Sequence, residues 1–324
     1  MRPADHRFTE APRSRRPQRS SPERAAKEVR TAAPLRIAVG IATVGRPDVI
    51  VETIAELYAQ ERPPDQILVC SPTAADVEGV ERRHPQVTLL QGARGLSGQR
   101  NEIIRHAHGN DVLLFVDDDF VVCPGYLAAM ESAFVANEDV VLATGQVVMD
   151  GILGPGLSFE TARALARTCA KDDWRRECVD IYNAYGCNMA VRLAPICAHG
   201  SFFDEELPLY AWLEDVDFSR QIARFGRVVQ VMGARGIHLG VKSGRQSGVR
   251  LGYSQIANPI HLVRKGTYSR WRALRLMGRN VVANVAKSMW PEQYVDRFGR
   301  VLGNIHALID LVGGRLAPSR ILTL

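Results

Sequence analysis

From Leu35 onward the chain alternates between two textures. "LRIAVGIATV" is a short apolar, β-branched run, the pattern of a strand buried on both faces. "VIVETIAELYAQ" follows, with Ile50, Ile54 and Leu57 at helical spacing. The change of period then repeats. "QILVCS" reads as a strand, a short helix follows, "VTLLQG" is a strand, "LSGQRNEIIRHAH" a helix and "DVLLFVDDD" a strand. This alternation predicts an α/β domain over residues 34–240, a Rossmann-like, mostly parallel sheet flanked by helices. Beyond Asp150 the pattern loosens. "GILGPG" reads as a loop and "NAYGCNMAVRL" as a strand. "LEDVDFSRQIARFGRVV" reads as a helix with Phe218, Ile222 and Phe225 on one face, stopped by Gly226 and followed by a strand. Residues 241–258 read as a flexible loop and 259–324 as a helical extension. No internal repeat is visible.

Composition changes the picture mainly at the N-terminus. Residues 1–33 are rich in Arg, Pro and Ser and almost empty of large apolar residues, which predicts a disordered basic tail. They hold nine Arg/Lys (2, 7, 13, 15, 16, 19, 24, 27, 30) and four acids (5, 10, 23, 28), so they account for +5 of the net charge of +6. The remainder is nearly neutral, and the high pI does not argue for a nucleic-acid partner. The six cysteines, at 70, 123, 169, 178, 187 and 197, form no C-x-x-C pair. With no apolar leader ahead of them, they read as reduced thiols of a cytoplasmic protein. No uncharged apolar run approaches the ~18 residues needed to span a bilayer.

The candidate chemistry begins at Asp117, Asp118 and Asp119, three carboxylates between two apolar runs. Like charges this close repel, and burying them is costly without a positive partner. In a parallel α/β sheet, ligands bind at the carboxyl ends of strands, and these aspartates stand at such an end. A D-x-D there suits a hard divalent cation, Mn2+ or Mg2+, with phosphate oxygens completing the shell. An acidic turn without a cation is the plainer alternative. A second acidic group, Glu214, Asp215 and Asp217, leads into a helix, where carboxylates are also favoured by the helix dipole. Asp215 is the candidate for taking a proton from a hydroxyl acceptor. Arg100 and Asn101 lie where a turn enters a helix, and an Arg there could meet phosphates or a base. His238 follows a strand-like stretch and precedes a Gly/Ser-rich loop carrying Lys242 and Arg245. The chain contains no Gly-Lys pair, which excludes a P-loop. Asp117, Asp119 and Val121 formally fit the D-x-D-x-[TV] of dehalogenase-like phosphatases, so a Mg-dependent phosphatase is a second reading. A non-catalytic nucleotide-sugar-binding protein is a third.

The order of these motifs resembles the family 2 glycosyltransferases, whose fold is GT-A. The resemblance covers about residues 35–240. It rests on "IATVGRP", "GLSGQRNEIIRHAHGNDVLLFVDDD", "NAYGCNMAVRL", "GSFFDEELPLYAWLEDVDFSRQIARFGRV" and the later His238. It implies an inverting enzyme with a nucleotide-sugar donor, UDP-sugars foremost, and a divalent metal. It implies Thr43 and Arg46 at the nucleotide, with Arg100 and Asp118 nearby. Asp117 would touch the nucleoside, Asp119 and His238 would hold the metal, and Asp215 would be the base. Asn188 and Trp212 would neighbour the sugars. The acceptor would be a glycan or a lipid-linked hydroxyl, in polysaccharide or glycolipid synthesis at the cytoplasmic face of the inner membrane. One departure concerns the turn after the second strand, where many members carry an Asp-Asp-Gly-Ser-like sequence that helps hold the base. Here it reads "VCSPTAAD", and Asp76 is the nearest acid.

One segment points to a surface rather than a small molecule. "RKGTYSRWRALRLMGRNVVANVAK", residues 264–287, has seven basic residues and no acid. Trp271, Leu274, Met277, Val281 and Val285 recur at three- and four-residue steps. A basic amphipathic helix of this kind predicts peripheral membrane contact. The competing expectation is that its apolar stripe packs on the domain.

Overall fold

The computed structural model describes residues 34–152, 154–169, 177–242, 247–290 and 292–324. The basic tail expected over residues 1–33, and Arg245, lie outside the described residues. Residues 34–324 form one compact unit.

The elements in chain order begin with β1 (Ile37–Ala42), α1 (Pro47–Tyr58), β2 (Gln66–Ser71), α2 (Val80–Arg83), β3 (Thr88–Gln91), α3 (Leu96–His106) and β4 (Val112–Val116). The middle of the chain gives β5 (Phe120–Val122), α4 (Tyr126–Ala136), β6 (Val140–Asp150), α5 (Phe159–Cys169), β7 (Cys178–Asp180) and β8 (Asn188–Arg192). Then come α6 (Leu193–His199), α7 (Glu214–Ile222), β9 (Arg227–His238), α8 (Gly248–Lys265), α9 (Arg270–Ser288) and α10 (Arg297–Val312).

The sheet order is β3-β2-β1-β4-β8-β6-β9-β5, with β7 also paired to β9. β3, β2, β1, β4, β6 and β9 run in one direction, while β8, β5 and β7 oppose them. The sheet is therefore mostly parallel, as the alternating texture predicts. Strand side chains alternate, and the core divides accordingly. Ile37, Val39 and Ile41 of β1 pack with α1 and α4 on one face. Ala38 goes to the other face, with Ile103 of α3 and Phe218 of α7. The carboxyl ends of β1, β2 and β4 thus open on one edge, with helices closing both sides.

The C-terminal helices depart from the sequence reading. The loop expected over 241–258 is helical from Gly248, and Pro259, expected near the start of the helical region, lies inside α8. Ser247 caps α8 by accepting the Arg250 N–H at 3.3 Å. Its glycines look like loop signals but serve a helix crossing: a Cβ on Gly252 would run into the Arg300 backbone, and one on Gly303 of α10 into Val249. A buried polar set joins the three helices. Asn284 of α9 donates to Gln255 at 2.7 Å and to Asn304 at 3.0 Å, and Asn304 donates to the Gly252 carbonyl at 2.7 Å. Overpacking this crossing should be costly. Gly303→Ala is expected to destabilise the protein by about 1–3 kcal/mol, read as a lowered thermal midpoint in circular dichroism. An unchanged midpoint would mean that the crossing is not tight.

Ion pairs fasten this helical region to the sheet domain. Lys265 at the end of α8 reaches both Asp204 and Asp217 at 2.7 Å, and Thr267 donates to Asp217 at 2.5 Å. Asp217 is fully buried. No helix among the described residues is long and apolar enough to cross a membrane.

Candidate active site

The loop after β1 is tied to the end of β4. Thr43 Oγ1 donates to Asp118 Oδ2 at 2.6 Å, and Arg46 Nη1 donates to Asp118 Oδ1 at 2.7 Å. Both Asp118 oxygens are thus used inside the protein. Burial pushes its carboxyl up to about 6, against the opposing pull of Arg46 and Thr43. Thr43 and Asp118, expected at the nucleotide, are a buried brace that fixes Arg46 at the crevice. Asp76 braces the same edge: its carboxylate accepts the Gly45 N–H at 2.6 Å and the Thr73 N–H at 2.9 Å.

Asp119 meets His238 because of strand register. β5 pairs with β9 so that Phe120 faces His238, and β6 pairs with β9 so that Asp150 faces His238. His238 Nε2 lies 3.3 Å from Asp119 Oδ1, and its Nδ1 lies 3.0 Å from Asp150 Oδ1. Asp119 Oδ2 accepts the Val241 N–H at 2.8 Å. Burial pulls the imidazole down, but the two carboxylates outweigh it and raise its pKa to about 10. Burial would raise Asp119, yet the bond and charge of His238, with Arg46, hold it below the usual carboxylate range.

Asp117 is one-third exposed at 33% and turns toward the crevice. One ligand atom each from Asp117, Asp119 and His238 can be chosen so that all lie within 4.8 Å of one another. Hard carboxylate oxygens with one imidazole nitrogen suit Mn2+ or Mg2+, Mn2+ tolerating the nitrogen better. Asp150 holds the far ring nitrogen, the usual outer-shell arrangement of a metal-binding histidine. The residues present therefore fit a divalent cation.

Arg100 departs from its expected role. Among the described residues it is the largest fully buried side chain, and its guanidinium faces the rings of Phe115 and Phe203 at 5.5 and 5.3 Å. It donates to Glu214 Oε1 at 2.7 Å, to the Gly186 carbonyl at 2.7 Å and to Asp117 Oδ1 at 3.2 Å. It has no face left for phosphates and works as an internal clamp. Asn101 is likewise internal, bridging to the Phe203 backbone at 2.8 and 3.0 Å. Asn188, expected beside the sugars, is also corrected. It is fully buried, and its Oδ1 accepts from Thr144 at 2.5 Å and from the Gly145 N–H at 2.7 Å. It joins β8 to β6 and cannot reach a ligand. Trp212 is half-buried, with its carbonyl accepting from Asn258 at 2.7 Å.

Asp215, the second residue of α7, lies beside this clamp. Its Oδ2 accepts the Gly186 N–H at 3.1 Å and its Oδ1 accepts the Val216 N–H at 2.8 Å. Gly186 allows that approach, since a Cβ there would press on Glu214, Asp215 and Arg100. Burial raises the Asp215 pKa, opposed by those two N–H groups and Arg100. Burial pushes neighbouring Glu214 up to about 8 despite Arg100, and its Oε2 is buried without a partner among the described residues.

Three further residues shape the site. Asp150 and Tyr185 form its far wall, with the Tyr185 hydroxyl donating to Asp150 Oδ2 at 3.3 Å and its ring set edge-on to His238. Asp150 ends a strand as the aspartates after β4 do, and that signal could have found it. Tyr210 is half-exposed, close to Asp117, Asp215 and Glu214. It is held there by an unusual backbone: Leu209, Ala211 and Leu213 have φ of 58°, 51° and 73°. Left-handed conformations at such residues are costly and are kept only where the surroundings dictate them. No periodicity announces such a segment.

A family model described as glycosyl transferase family 2 matches residues 38–196. The match includes the aspartates after β4 and ends before Asp215 and His238. No curated protein matches the chain at a significant level. Among solved structures, the chain is similar to the mannosyltransferase PcManGT from Pyrobaculum calidifontis, solved with GDP-Man and Mn2+. That likeness has a TM-score of 0.52 and 16% identity over 93% of this chain and 90% of that one. It is also similar to S. aureus TarS 1-349 with UDP-GlcNAc, with a TM-score of 0.53 and 15% identity over 89% of this chain and 83% of that one. GalNAc-T7 with UDP, GalNAc and Mn2+ gives a TM-score of 0.52 and 13% identity over 90% of this chain and 56% of that one. At these identities the structures speak for the fold, and the family model for the kind of enzyme. The fold is not that of a phosphatase opening on its D-x-D strand, because three strands precede β4. Residues 38–196 carry the glycosyl transferase family 2 match, and the chain is a glycosyltransferase with the GT-A fold.

Proposed function

We propose that this enzyme transfers a sugar from a nucleotide-sugar donor to a hydroxyl acceptor with inversion, using Asp215 as the base and a divalent cation at Asp117, Asp119 and His238. The observation that carries the reading is the pairing of two acidic sites through one guanidinium. Arg100 binds Asp117 directly and reaches Asp215 through Gly186, whose carbonyl it holds and whose N–H Asp215 accepts. The cation, when bound, would offset the negative charge that develops on the departing diphosphate. Asp117 and Asp119 would hold it, and His238 would join them after giving up the proton it carries between Asp119 and Asp150. Asp215 would take the acceptor's proton as the acceptor oxygen forms its bond to the anomeric carbon. The bond from that carbon to the diphosphate oxygen breaks, and the nucleoside diphosphate leaves. The raised pKa of Asp215 favours this role, because a base nearer neutrality accepts a proton more readily. Arg46, fixed by Asp118, stands beside Asp119 to face the donor's phosphates. Tyr185 and Tyr210 would wall the sugars.

UDP-sugars are the foremost donors in this reading, supported by the UDP-containing complexes among the similar structures. A glycan or lipid-linked hydroxyl is the acceptor, in polysaccharide or glycolipid synthesis. The enzyme would work at the cytoplasmic face of the membrane, with its six cysteines as the free thiols they are here. A panel of nucleotide sugars with Mn2+ or Mg2+ tests the reading. Release of nucleoside diphosphate from one donor is expected, stimulated by an acceptor hydroxyl. Donor binding with no turnover under any acceptor would instead assign a sensor.

A further inference from the structure

α9 and α10 bury one side each, and the described residues leave another side bare. The stripe expected on α9 divides. Met277 and Val281 turn inward against the cluster around Tyr253 and Ala307. Trp271, Leu274 and Val285 turn outward, joined by Val282 and Met289. On α10, Phe298, Leu302, Ile305, Ile309 and Val312 are all exposed, up to 91% at Val312. At about 100° per residue, the named residues fall within a sector of roughly 80° on each helix, and on α10 the exposed Leu308 and Leu311 widen the apolar surface to one side. These are continuous apolar faces on two helices that pack on one another. Soluble proteins rarely leave such faces uncovered.

The charges around these faces identify what covers them. Residues 270–324 hold nine Arg/Lys (270, 272, 275, 279, 287, 297, 300, 315, 320) and three acids (292, 296, 310). All three acids are engaged. Glu292 lies 3.2 Å from Lys287 and 2.5 Å from Arg297. Asp296 caps α10 by accepting the Gly299 N–H at 2.7 Å. Asp310 accepts from the buried Tyr253 hydroxyl at 2.9 Å and faces Arg315 and Arg320. α9 itself carries no acid, and its Arg275 and Arg279 make no ion pair among the described residues. Trp271 and Trp290, 80% and 69% exposed, stand at the two ends of α9. Apolar stripes flanked by free arginines and tipped by tryptophan match the layered chemistry of a bilayer surface. A second copy fits poorly, because it would bring two arginine rows together with no acidic partner.

We propose that the outward faces of α9 and α10 seat this enzyme on an anionic lipid bilayer. The proposal stands apart from the inverting reading and does not depend on it. The full chain is floated with vesicles of phosphatidylcholine, alone or mixed with phosphatidylglycerol, at low and high salt. Wild type is expected to rise with the anionic vesicles at low salt and to be released by salt. Arg275→Glu with Arg279→Glu should lower partitioning at least tenfold, since one basic residue near such a surface contributes roughly fivefold. Ile305→Glu with Ile309→Glu should abolish flotation while circular dichroism remains that of wild type. Should that pair fail to fold, quenching of wild-type tryptophan emission by brominated lipid decides. Quenching supports the proposal, and its absence overturns it. Wild type that stays with the lipid-free fraction also overturns it. So does a dimer in light scattering that the isoleucine variants split without any flotation, which would assign the faces to a second copy.

Discussion

Asp119→Ala is expected to abolish cation-dependent sugar transfer, lowering it by at least about a hundredfold, the scale at which even outer-shell partners tune metal affinity. The reason is concentration of function in one carboxylate. Asp119 is buried, sits 3.3 Å from His238 through one oxygen, and accepts the Val241 N–H through the other. Alanine removes a candidate metal ligand, the acidic partner of His238 and the anchor of the chain after β9 together. Asp119→Asn separates these roles. Its amide oxygen can still accept from Val241, so the loop stays tied, while the negative charge is gone. Titration calorimetry with Mn2+ on wild type and both variants, beside a transfer assay, reads the outcome. Weak cation binding by both variants is the expected result. Wild-type cation response in Asp119→Asn would remove the carboxylate charge from the site and leave Asp119 a loop anchor.

Asp215→Asn is expected to cost about 10²–10⁴-fold in turnover, the range of a positioned general base, while donor binding is kept. The substitution preserves size and an oxygen that can accept one of the two N–H groups, Gly186 and Val216, that Asp215 holds. An Asp215 that only held these N–H groups would therefore largely tolerate Asn. The proposed donor site lies at the ends of β1 and β4, which the change leaves in place. In wild type, the raised Asp215 pKa should move the acid limb of the turnover profile upward. Turnover should fall as the pH drops through that limb, because a protonated carboxyl cannot accept the acceptor's proton. Asn should erase the limb. Near-normal turnover in the variant would return Asp215 to a structural role. Lost binding with lost turnover would place it in the donor site and direct the search for the base to Glu214, whose buried Oε2 has no hydrogen-bond partner among the described residues.

The sheet was legible because its strands and helices differ in period, and that signal is local. β1 to β4 run one way, joined in turn by α1, α2 and α3. The acids after β4 were legible as well, since three carboxylates at a strand end have few structural uses. What sequence could not show was which polar residues turn inward. Arg100, Asn101, Thr43, Asp118 and Asn188 are the residue types that meet ligands, yet each is spent inside. Their partners, such as Glu214 for Arg100, lie as much as 114 residues away in the chain. α8 was missed for a related reason: glycines that permit a helix crossing look the same in one dimension as glycines that permit a turn. The bare face of α10 was missed because its period is that of any buried helix, and only its surroundings show that none of the described residues covers it.

The placing of His238 has a consequence for how the chain finds its fold. β9 is held in register from both sides, by Phe120 on β5 and by Asp150 on β6. Strand side chains alternate, so a slip of one residue would carry His238 to the opposite face and bring Ile237 or Leu239 toward the aspartates. β6 and β9 already pair with three register shifts, so their alignment is not enforced by a uniform ladder. A cation that binds only the aligned strands adds free energy to that alignment alone, by mass action. The cation would then act as a proofreader of assembly as well as a reagent, rewarding the one pairing in which the carboxylates and the imidazole meet.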